Sequence, residues 1–110
     1  MVKITGTTIR MTKGDTLPIT LLLEDEFGRD YIPDEGDRIR FVVKQDINDK
    51  EPLIEQEIPT NSLFLRLPPS ATKELEAPET YVYDMEITYA NGDVDTFINK
   101  GKLILVEEVD

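Results

Sequence analysis

The sequence contains no cysteine, no histidine and no tryptophan. Without thiolates or imidazoles the usual zinc and copper ligand sets are missing. So are the Ser-His-Asp and Cys-His arrangements of nucleophilic catalysis. Disulfides are excluded with the cysteines, so nothing about redox compartment follows from them. Positive charge is scarce too: 12 Lys and Arg stand against 23 Asp and Glu, for a net charge of −11. Proteins that hold nucleic-acid phosphates do so with clustered cations, and an anionic membrane surface repels the same charge, so neither partner is expected. The acidity suits solubility or a basic partner. No apolar run approaches membrane-spanning length. Residues 1–6 lack the apolar stretch of a signal peptide, which predicts cytoplasmic synthesis without export by that route.

What is present is alternation. In the run 81–89, Tyr81, Tyr83, Met85, Ile87 and Tyr89 share one face of an extended strand, while Asp84, Glu86 and Thr88 share the other. Period two means one buried face and one wet face of a sheet. Asn91-Gly92 follows directly, a pair suited to the two positive-φ positions of a tight hairpin into 94–98. Further strands are predicted over 4–11, 16–23, 37–45, 52–58 and 61–67, with a bulge at Gly101 before a last strand segment at 103–106. Pro18 lacks an amide hydrogen, so its strand should have one unpaired side or a bulge there. Residues 68–75 read as a single helical turn crossing one end of the molecule.

With 110 residues, the chain is one domain able to bury roughly two thirds of its unfolded surface. About seven short strands separated by turn signals predict an all-β, immunoglobulin-like antiparallel β-sandwich with one short helical turn. Its expected core is Leu17, Ile19, Leu21, Ile39, Phe41, Val43, Leu63, Leu65, Tyr83, Met85 and Ile87. Tyr81 sits where a tyrosine corner would sit, its hydroxyl bonded back to the preceding connection; a merely packed aromatic is the alternative.

Paired carboxylates for acid–base work need a cleft and a fixed separation. Here the acids fall in runs (Glu24 to Glu26; Asp34, Glu35 and Asp37; Glu107, Glu108 and Asp110) that read as solvated tips. No catalytic residue, cofactor site or metal site is assigned. Asn91, Asp93 and Asp95 have the opening spacing of a calcium loop but lack its later bidentate glutamate, and hairpin geometry accounts for them. The candidate interface lies elsewhere. Val42, Val82 and Phe97 are placed off the core parity of strands that are neighbours in such a sheet, where they would form an exposed apolar patch.

The order of motifs resembles the amino-terminal immunoglobulin-like domain of baseplate upper proteins and similar tail-associated proteins of phages and prophages of Firmicutes. The resemblance rests on Ile9-Arg-Met-Thr-Lys-Gly-Asp-Thr-Leu17 and Asp37-Arg-Ile-Arg-Phe-Val-Val43. It continues with Glu51-Pro-Leu-Ile54, Tyr81-Val-Tyr-Asp84 and Asn91-Gly-Asp-Val-Asp-Thr96. It implies a non-enzymatic virion component that docks onto other tail or baseplate proteins, or onto itself, with no catalytic residue to carry over. Baseplate upper proteins continue into helical and receptor-facing regions, whereas this sequence stops at Asp110. A free-standing adaptor and one domain of a longer protein both fit. The alternative function is a carbohydrate-binding module for host surface glycans, although tryptophan, the favoured stacking platform, is missing.

Overall fold

The computed structural model describes residues 8–24, 27–46 and 48–107. Among them the order is β1 (Thr8–Thr12), β2 (Leu17–Thr20), β3 (Arg38–Lys44), β4 (Ile54–Ile58), β5 (Phe64–Leu67), α1 (Ser70–Lys73), β6 (Glu79–Thr88) and β7 (Val94–Val106). A five-stranded sheet runs β1-β7-β6-β3-β4 and faces a two-stranded sheet, β2-β5. The fold is an all-β sandwich, with β2-β5 in one layer and β1-β7-β6-β3-β4 in the other. Of the first predicted strand, residues 4–7 lie outside the described residues.

One pairing is not antiparallel. β1 lies parallel to β7, Thr8 opposite Lys102 and Thr12 opposite Val106. A parallel pair cannot be closed by a tight turn and needs a long connection; here that connection is the rest of the sandwich. Side-chain alternation is the same in either direction, so the sequence pattern carries no sign of it.

Strand β6 is the centre of the packing. Tyr81, Tyr83, Met85 and Ile87 are all buried on its inner face. Opposite them on β3 stand Val43, Phe41 and Ile39, and the Phe41 and Tyr83 rings pack with centroids 5.5 Å apart. The second sheet supplies Leu65 and Leu67, and the segment after β2 adds Leu21 and Leu23. Each such side chain contributes about 1.5–3 kcal/mol when fully buried. Of the expected core, Leu17, Ile19 and Leu63 are only partly buried against the cluster. Met11, Ile54, Ile58, Ile98, Leu103 and Leu105 join it from strands outside that expectation. Pro18 is tolerated because, among the described residues, β2 pairs with β5 alone.

Two turns differ from the sequence reading. Asn91 does not have positive φ; Gly92 does, at 95°. The Gly92 amide donates to the Tyr89 carbonyl at 2.8 Å, and the Tyr89 amide donates to the Asp93 carbonyl at 2.8 Å. The hairpin therefore closes on a three-residue loop, Ala90 to Gly92, whose last residue takes the left-handed position. Asn91 serves through its side chain instead, accepting the Asp93 amide at 2.9 Å. The irregularity expected at Gly101 lies earlier. Register runs Tyr83–Gly101, Met85–Ile98, Glu86–Thr96, so β7 gains one extra residue at each step. Lys100 has φ 59°, and its amide donates to the Asp84 carboxylate at 2.9 Å. Thus 94–106 is one bulged strand rather than two segments.

The tyrosine corner is present. The Tyr81 hydroxyl donates to the Glu76 carbonyl at 2.8 Å, tying β6 to the connection that precedes it. Nearby, the buried Thr72 of α1 accepts the Gly14 amide at 2.9 Å, which anchors the β1–β2 turn to the helix. Tyr81→Phe should lower stability by about 1–2 kcal/mol, because the Glu76 carbonyl loses its partner while the ring packing is kept. Urea unfolding checks this; the midpoint should fall with an unchanged denaturant slope.

Candidate interaction site

The outer face of the larger sheet is held by charge. Arg40 lies 3.4 Å from Glu55 and 3.6 Å from Glu86, bridging β4 and β6. Arg38 lies 4.0 Å from Glu57. Solvent-exposed pairs of this kind contribute about 0.2–1 kcal/mol each. A shallow groove of about 490 Å³ runs between them, lined by Arg38, Arg40, Glu55, Glu57, Glu86 and Thr88. Opposed charges already satisfy one another there.

Val42, Val82 and Phe97 do not form an exposed apolar patch. Val42 lies on this outer face but is only 8% exposed, with Glu55 and Asp84 across from it on either side. Val82 is half-buried. Phe97 packs against the core cluster. It falls between the Met85–Ile98 and Glu86–Thr96 pairs, where the extra residue breaks the alternation used to place it.

The three most exposed large apolar side chains among the described residues lie in the loop from β2 to β3. Leu22 is 83% exposed, Ile32 80% and Phe27 72%. A small hairpin explains their placement. Glu24 bridges Asp30 in antiparallel register, and the Tyr31 amide donates to the Leu23 carbonyl at 2.9 Å. Leu23 and Tyr31 turn inward, Leu23 buried and Tyr31 packed on the core. Leu22 and Ile32, each next to one of these inward residues, are left exposed on the two arms of the loop. Phe27 stands at the tip with the Arg29 guanidinium 5.1 Å from its ring centre.

A buried carboxylate braces this loop against the β6–β7 turn. Asp37 is 6% exposed. One of its oxygens accepts the Tyr31 hydroxyl at 3.0 Å and the Asp34 amide at 2.9 Å; the other accepts the Ala90 amide at 3.0 Å. A Cβ on Gly36 would lie 3.1 Å from the Ala90 Cβ, and φ at Gly36 is 96°, so the close approach and the backbone both call for glycine. Tyr31 and Tyr89 meet edge to face at 6.3 Å, and the Tyr89 hydroxyl donates to Asp95 at 3.4 Å.

Around this brace the surface is acidic. Glu24, Asp30, Asp34, Glu35 and Asp93 are all exposed, with Arg29 the one cation among the described residues of 22–37 and 89–95. No group of three or more acidic side chains converges to hold a metal ion among the described residues. Asn91 and Asp93 bond to each other within the turn. The residues overlooked in the sequence were signalled at one point: in Leu21-Leu22-Leu23 the middle leucine is off parity. Phe27 and Ile32 carried no such signal, because they sit inside a polar stretch and beside a proline. No family model matches this chain, and no curated protein matches it.

Asp37→Asn leaves one acceptor oxygen where two are used, so an amide N–H of Asp34 or Ala90 loses its partner. The expected cost is about 1–3 kcal/mol, measured by urea unfolding, with faster amide hydrogen exchange at Asp34 or Ala90. Burial pushes the phenols of Tyr31, Tyr81, Tyr83 and Tyr89 up. At Tyr31 the bond to Asp37 adds to this, and at Tyr89 the Asp95 charge does. The unfolded phenols ionise near pH 10 while the folded ones stay protonated longer. Their contribution to stability is therefore complete below about pH 10 and is lost as pH rises through the folded values. Ultraviolet titration should show all four tyrosines ionising later in the folded protein than in denaturant.

Proposed function

We propose that this chain is a non-catalytic, immunoglobulin-like interaction module, serving as a phage or prophage tail or baseplate component. The observation that carries the module reading is the gathering of Leu22, Phe27 and Ile32 on one braced loop end. Large apolar side chains held in water on a rigid support are a cost to an isolated domain and a gain to one that docks. The tail assignment rests on the ordered motifs between Ile9 and Thr96. On this reading the protein is made in the cytoplasm of a bacterial host and incorporated into the virion tail, with other baseplate proteins or further copies of itself as partners. Glycan binding has less support: Tyr81 and Tyr83 are buried and Tyr31 and Tyr89 pack against the core, which leaves no open aromatic platform among the tyrosines.

Tails purified from the phage or induced prophage that encodes the chain should contain it at a fixed ratio to other tail proteins by quantitative mass spectrometry. Complete tails that lack it would refute the tail assignment.

A further inference from the structure

The braced loop end combines two surface chemistries that together define what can sit on it. Leu22 and Ile32, on the two arms that the Glu24–Asp30 bridge joins, are 83% and 80% exposed, and Phe27 on the segment between them is 72% exposed. Five exposed carboxylates lie on the same loop and on the turn braced to it: Glu24, Asp30, Asp34 and Glu35 on the loop and Asp93 on the turn. A second copy docking through the same end would set these carboxylates against their own kind, which is costly. Phosphate backbones and anionic lipid surfaces are repelled for the same reason. The loop also shows how it receives a cation, since Arg29 stacks on the Phe27 ring.

We propose that this end docks a cationic amphipathic segment of a partner protein, with apolar side chains seated on Leu22 and Ile32 and lysines or arginines facing the loop and turn carboxylates. The inference deepens the reading of the chain as an interaction module, on which it rests. The apolar pair holds the complex together, and the carboxylates steer association and exclude acidic or neutral competitors. Asp37 ties the Tyr31–Asp34 arm of the loop, which carries Ile32, to the β6–β7 turn, and this lowers the ordering cost of binding there.

The test uses three synthetic peptides on the whole protein: alternating Leu-Lys, alternating Leu-Glu, and alternating Ser-Lys. Binding is followed by calorimetry and by backbone amide NMR shifts. The Leu-Lys peptide should bind, with shifts centred on residues 22–36 and 89–94. The Leu-Glu and Ser-Lys peptides should bind at least tenfold more weakly. A Leu22→Ser/Ile32→Ser double variant changes only exposed positions and should keep its stability while weakening Leu-Lys binding at least tenfold. Raising the salt concentration tenfold should weaken it several-fold. Equal binding by the Ser-Lys peptide, or an undiminished affinity in the double variant, overturns the proposal. In tails, the double variant incorporated as well as the wild type would overturn the docking surface and leave the module reading intact, whereas a wild-type chain missing from complete tails strikes at the tail assignment alone.

Discussion

Strand β6 exchanges backbone hydrogen bonds with β7 on one side and β3 on the other, and its inner face from Tyr81 to Ile87 closes over the two-stranded sheet. That two-sided pairing sets the constraint from which the other features follow. Once β6 is central, its register with β3 aligns Tyr83, Met85 and Ile87 with Val43, Phe41 and Ile39 as a continuous apolar floor. Its start is held by the Tyr81 hydroxyl on Glu76, and its end delivers the turn that Asp37 receives. The loop end and the core are thus connected through one strand. A shift of β6 by one residue would turn the floor outward and carry the turn away from Asp37 at the same time.

What the sequence made legible was whatever depends on alternation within a single strand. The faces of β3 and β6, the inward positions on either side of Pro18 and the short helical turn all follow from local pattern and local chemistry. The features it concealed each depend on something non-local. The parallel partner of β1 is 94 residues away in the chain, Thr8 lying opposite Lys102, and pattern has no direction. Phe97 was placed by parity, and parity fails once the backbone of β7 inserts an extra residue. The turn at Asn91 and Gly92 went to a three-residue loop because the Asn side chain can satisfy the Asp93 amide itself. Strand alternation assumes an unbroken ladder, and these are the places where the ladder is broken or closed by other means.

The acidic loop shows the same division. Asp34, Glu35 and Asp37 look alike as a run, yet Asp37 is buried because its partners converge from Tyr31, Asp34 and, 53 residues along the chain, Ala90. Its neighbours remain in water and give the end its charge. One carboxylate turned inward supplies rigidity, while those around it supply the field that a partner meets first. Composition alone reads such a loop as a solubilising tip; geometry separates the member that builds the surface from those that decorate it.

The parallel pairing of β1 with β7 also bears on how the domain carries a load. Thr8 lies beside Lys102 and Thr12 beside Val106. A pull applied backward through Thr8 and forward through Val106 would therefore run along the two strands in opposite directions. The five paired positions would resist together, in shear, instead of opening one after another as the end of an antiparallel hairpin does when it is unzipped. Mechanical rupture under such a load is governed by the rate of crossing the unfolding barrier rather than by equilibrium stability. The short edge strand, modest in its share of the core, is then the clasp that determines how much tension the sandwich withstands.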